Sequence, residues 1–303
     1  MGDTLTSPGS GLSISPRIEE RLRNGELTQE QIDEFQEFLT QVEREFMQHR
    51  VITNNEYTHW FQKGEADDDH LRHFITQFSV FSNLFLIASL QKVINAPSLE
   101  QARVSKEILL NELGVIYRKP SQKIGERSTL SDDDKDREGD PDLVSIEGTV
   151  DGGVFRFRAA HFEWLLTIGE QLGLSYDDMG KRRHGTKSTL HFCDELSRCY
   201  GSEDGQFAEG ASFAIENWAA AGFWQELEDG LTKIKNERHP KLKLAFFTWH
   251  NRVEAQHAEH TLEELEEVYF SEDLDREKFF QGGREILDAC ATFWDGLNAD
   301  RKA

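Results

Sequence analysis

Residues 250–257 read HNRVEAQH and place His250, Glu254 and His257 at offsets of zero, four and seven. On a helix turning about 100° per residue, these three directions fall within roughly 60° of one another. Two imidazoles and a carboxylate on one face form a nitrogen and oxygen donor set for a divalent metal. The face begins beside Phe246, Phe247 and Trp249, so part of it is expected to be buried, and burying such groups without partners is costly. The competing reading is a helix whose His and Glu residues pair with neighbouring polar groups.

Complements occur on other helix-forming stretches. Glu216 stands among Phe213, Ala214, Ile215 and Trp218, and Glu209 lies seven residues earlier on the same face as its rival. Glu112 sits just inside a helix end in LLNELG, and His161 opens AAHFEWLL. Each alone is more often a satisfied polar residue than a ligand. Together with the triplet they give three imidazoles and three carboxylates from four segments. Three carboxylates offset three of the four charges of two divalent ions. Such a mixed shell suits Fe(II), and also Mn(II), with positions left for O2 or substrate.

The elements that must position them are helical. Thr28 with Gln31 has the form of a capping box, followed by Ile32, Phe35, Leu39, Val42 and Phe46 at steps of three and four. Phe74, Phe78, Phe81 and Phe85 form a second stripe, which is read as core. Ser98 is a cap and Gly114 a stop for the helix that ends in Glu112. Seven or eight helices are expected, in an all-α single domain over residues 26–303. Residues 1–25, rich in Ser, Gly and Pro at their start, are expected to be disordered. The period fails over residues 119–158, where a polar, charged loop precedes a small β-hairpin turning at DGG.

A formal net charge of -22 would repel a phosphate backbone or an anionic membrane, so neither is an expected partner. Cys193, Cys199 and Cys290 form no Cys-x-x-Cys pair or disulfide framework, which suits a reducing compartment. The N-terminus lacks the form of a signal peptide, and the apolar stretch SVFSNLFLIASL is short and broken by polar residues. The expected location is the cytoplasm.

The order Glu112, His161, Glu216, then His250, Glu254 and His257 resembles the haem-oxygenase-like diiron oxidases and oxygenases, whose last motif is His-x3-Asp/Glu-x2-His. The segment HWFQKGEADDDHLRHFITQFSVFSNLF is similar to an early part of that family, so the likeness covers about residues 56–295. This chain departs from the pattern in the 48 residues between Glu112 and His161, and in Glu254, where Asp is common. The resemblance implies a haem-oxygenase-like bundle holding two iron ions that cycle between Fe(II) and Fe(III). It further implies O2 as co-substrate, a small organic substrate, and room for an external electron donor and a homodimer.

Three alternatives remain at this point. A ferritin-like diiron bundle would use Glu56-x-x-His59 and Glu254-x-x-His257. A metal-free haem-oxygenase-like hydrolase or oxidase would need a nucleophilic cysteine for thiaminase-type chemistry. An acidic helical adaptor would leave the buried His and Glu residues without a purpose.

Overall fold

The computed structural model describes Leu12 and residues 14–114, 145–147, 155–157, 161–271 and 274–303. Within these, the backbone alone is described at Glu100, Glu107, Asn111, both strand segments, residues 253–260, Glu264 and Ser271. Among the described residues the regular structure is helical apart from one two-stranded ladder. In order come α1 (Pro16–Arg23), α2 (Gln29–Val42), a π-turn (Glu43–Met47), α3 (Arg50–Thr53), α4 (Glu56–Phe61), α5 (Asp68–Ile94) and α6 (Leu99–Glu112). After strands β1 (Ser145–Glu147) and β2 (Phe155–Phe157) follow α7 (Phe162–Gln171), α8 (Lys187–Tyr200), α9 (Gly205–Ala220), α10 (Phe223–Glu237), α11 (Ala245–Ser271) and α12 (Arg276–Asp300).

The caps read from sequence are present. Thr28 Oγ1 accepts from the Gln31 amide while the Gln31 side chain accepts from the Thr28 amide, closing the capping box that starts α2. Ser98 Oγ accepts from the Gln101 amide at 3.1 Å at the start of α6, and Gly114 follows its end with φ +70°. The helices number twelve among the described residues rather than seven or eight. The surplus is short: α3 and α4 have four and six residues, too few for a hydrophobic period to show.

Order begins earlier than expected. Positions 16–23 form α1, inside the stretch to residue 25 that was expected to lack structure. Pro16 fits the first helical turn, and Ile14 and Ile18 are both 1% exposed. Ser15 then ties this strap to the far end of the chain, its amide and hydroxyl both donating to Glu266 at 2.6 and 2.5 Å.

The stripe on α5 is core. Phe74 and Phe78 are fully buried, with Phe81 and Phe85 packed partly exposed beside them. By length and composition α5 could cross a membrane, yet its Leu71, Phe74, Ile75 and Phe78 are buried, Phe74 and Phe78 against aromatic rings of α4, α10, α11 and α12. The most extensive helix pair is α9 with α12, and two glycines make it close. A Cβ at Gly210 would fall 1.8 Å from the Phe279 carbonyl oxygen, and one at Gly282 2.0 Å from that of Phe207.

The hairpin expected in the insertion forms, with Ser145 opposite Phe157 and Glu147 opposite Phe155 in antiparallel register. Its DGG turn and the loop expected over 119–141 lie outside the described residues.

Candidate metal centre

Glu112 is the last residue of α6 and His161 the residue before α7, so a carboxylate and an imidazole enter from either end of the insertion. Their side chains meet at 2.7 Å, Glu112 Oε2 to His161 Nδ1, with exposures of 14% and 9%. His161 has φ +34°, the one positive value outside glycine among the described residues. A histidine held there is a local cost that surrounding contacts must sustain, a pattern that clusters at functional sites.

His250, in the second turn of α11, stands beside His161. Its ring lies 4.8 Å from that of His161, centroid to centroid, and nearly perpendicular to it. His250 Nδ1 lies 2.6 Å from the Phe246 carbonyl oxygen one turn earlier. A carbonyl only accepts, so Nδ1 carries the proton and Nε2 the lone pair, the atom through which a neutral imidazole ligates. Aromatic rings wall the pair. Trp224 stacks on His250 at 4.4 Å, Trp249 stands 5.3 Å from His161 and 4.9 Å from His250, and Trp164 is 6.2 Å from His161.

Glu216 lies on α9, placed against α11 by its neighbour. Asn217 Nδ2 donates to Thr261 Oγ1 at 3.2 Å, so position 216 stands at the level of the turn that begins at residue 257. Glu209 shares a cavity wall with Glu267 and Val268, ten or more residues further along α11. At 1.5 Å per residue that is about 15 Å beyond residue 257, which favours Glu216 over its rival. His250, Glu254 and His257 lie on one continuous helix and one face of it, but the side chains of Glu254 and His257 are outside the described residues.

The Glu112–His161 pair has a spacing that a shared metal ion would allow, as an ordinary ion pair also does. An oxygen and a nitrogen bound to one ion at about 2.1 Å and a right angle are about 3 Å apart, close to the Glu112–His161 separation. The donor set is imidazole and carboxylate, in an aromatic enclosure that limits water, and it lacks the thiolates of a closed zinc site. Trp224 was not singled out in the sequence, because twenty-five residues separate it from His250 and the two meet only through folding. Trp249 was visible as the neighbour of His250.

The alternatives fare differently. Glu56 and His59 sit in the short α4 at the surface, where Glu56 accepts from Asn298 and Lys302 and His59 pairs with Glu226 at 3.1 Å. All three thiols are buried. Burial pushes Cys193 and Cys199 up to about 12 and Cys290 well above its ordinary value, so none is a thiolate near neutrality. Among the described residues one trio of metal-type donors has its ligand atoms within 4.8 Å of one another, Glu195, Cys199 and Glu285, and a guanidinium already engages both of its carboxylates. Arg198 Nη2 lies 2.5 Å from a carboxylate oxygen of each glutamate.

Comparison with models of known protein families finds no match, and neither does comparison with curated proteins.

Proposed function

We propose that the chain is a non-haem diiron oxidase or oxygenase that uses O2 to oxidise a small organic substrate on a haem-oxygenase-like bundle. Glu112, His161, Glu216, His250, Glu254 and His257 would hold the two ions, with manganese an alternative occupant. The observation that carries this reading is the meeting of Glu112, His161 and His250. These residues come from three separate helix ends, and two of them are joined at 2.7 Å across the insertion.

Bound iron would supply the O2 chemistry, in the range of N-oxygenation, C–H abstraction or C–C cleavage, with an external donor where the substrate provides too few electrons. The protein's own groups do the rest. Phe246 holds His250 in the tautomer that presents Nε2. The Glu112 carboxylate supplies negative charge at the His161 edge of the cluster, where an unpartnered cation would be costly. Trp164, Trp224 and Trp249 narrow the access of water to the two imidazoles.

The test is loading with Fe(II) under nitrogen, removal of loose metal, and elemental analysis, followed by an O2 pulse. Roughly two irons per chain and O2 uptake by the loaded protein are expected. One iron or none would refute the assignment.

A further inference from the structure

A cavity of about 330 Å³ lies between α5, α6, α9 and α11, and its lining residue Ile108 is one turn of α6 from Glu112. At about 30 Å³ per non-hydrogen group it has room for about ten such atoms. Its lining approaches the centre along α6, and Ser212, which Lys92 contacts, does so on α9. Gln101, Ser105 and Ile108 line it, and with Glu112 they sit at offsets of zero, four, seven and eleven, one face of α6. On α9 the position of Ser212 is one turn, about 6 Å, from that of Glu216.

Lys92, from the last turn of α5, lines this cavity. Its Nζ donates to the buried Ser212 Oγ and lies 4.4 Å from the centre of the Tyr200 ring. No carboxylate among the described residues is within ion-pair distance of it, and an ammonium has three protons to donate. The two acids on the cavity wall are already engaged: Glu267 pairs with Arg17 at 3.3 Å, and Glu209 has a partner too. The cavity therefore offers one cation with donors to spare.

The geometry points to a substrate pocket in which Lys92 binds the carboxylate of a small organic acid of about ten non-hydrogen atoms. Its role as a substrate pocket rests on the proposed diiron reading; the anion site does not. Walls of mixed character, with Gln101 and Ser105 beside Val104 and Ile108, fit an amino acid better than a purely aliphatic acid.

Hexanoate, L-norleucine and hexylamine serve as probes, with binding to the full chain measured by calorimetry before and after iron loading. Both acids are expected to bind and the amine not. Lys92→Met should weaken the acids by at least about tenfold, and Lys92→Arg should restore them. Val104→Trp, at a half-open wall position, should block both acids while iron content stays at the wild-type value. Tighter norleucine identifies an amino acid pocket, tighter hexanoate a simple acid pocket. Equal binding of the amine, or unchanged acid binding in Lys92→Met with native circular dichroism, overturns the inference. Acid binding without iron uptake would sink the diiron reading and leave the anion site standing; iron uptake with no acid binding would do the reverse.

Discussion

Glu112 Oε2 and His161 Nδ1 stand 2.7 Å apart although 48 residues separate them in the chain. The contact joins the end of α6 to the start of α7, so the insertion leaves and returns at one point. If both groups serve one metal centre, losing either should be felt in metal content first. Glu112→Gln keeps the shape and removes a charge; His161→Asn removes the imidazole and keeps a polar side chain. Iron is expected to fall from roughly two per chain to one or less in each variant, with affinity lower by at least about tenfold. Full iron content in both, by elemental analysis, would mean that the pair is structural.

Two histidines separate the diiron reading from its ferritin-like rival. His250 is 7% exposed and packed under Trp224, whereas the side chain of His59 is 49% exposed in an ion pair with Glu226. His250→Ala should abolish tight iron binding and open a gap beneath Trp224, lowering stability by about 2 kcal/mol. His59→Ala should leave iron unchanged and cost at most about 1 kcal/mol, as surface pairs do. Iron loss on replacing His59 would reverse the ranking of the two readings.

The sequence made the helical class, the α2 cap, the α5 stripe and the hairpin legible because each rests on local period or turn chemistry. The convergence of Glu112 with His161 was legible only through family likeness, since neither residue has a local signature and the insertion hides their proximity. Helix α1 was missed for the opposite reason. Its eight residues are mostly charged, and what holds it in place, the burial of Ile14 and Ile18 and the tie of Ser15 to Glu266, depends on distant parts of the chain. Lys92 was missed because a lysine in a last helical turn is ordinarily a match for the helix dipole. Its approach to Ser212 and Tyr200 is a product of packing.

Helix α9 carries Glu216, and its depth in the bundle is set by Gly210 against the Phe279 carbonyl. A methyl group there meets backbone at 1.8 Å, which no side-chain rotation relieves. Gly210→Ala should cost about 1–3 kcal/mol or more and displace α9, lowering iron content as well. Gly205→Ala is the control: its nearest neighbour, Pro97, is at an ordinary 3.6 Å. Urea midpoints should show the first variant destabilised and the second close to wild type. Equal midpoints would mean that α9 does not depend on that close approach.

Glu266 gives the fold a pH dependence of known sign. Burial raises its pKa, against the opposing pull of the two Ser15 hydrogen bonds; Glu263 pushes the same way as burial and Arg17 the other. A carboxyl with a raised folded-state value binds its proton more tightly folded than unfolded. Its contribution is therefore complete below the ordinary carboxylate range and is lost as pH rises through the folded value. Glu266→Gln removes that titration while keeping an acceptor for Ser15, so the wild type should lose stability relative to the variant across that window. Above it the difference should be constant. Glu266→Ala also removes the clasp on α1, at about 1.5–3 kcal/mol for a hydrogen bond to a charged group, and should admit protease cleavage near residue 24. Denaturant midpoints of the three proteins from pH 4 to 8 (about the span of a shifted carboxylate) supply the measurement. Parallel wild-type and Gln profiles would show that Glu266 titrates alike in both states.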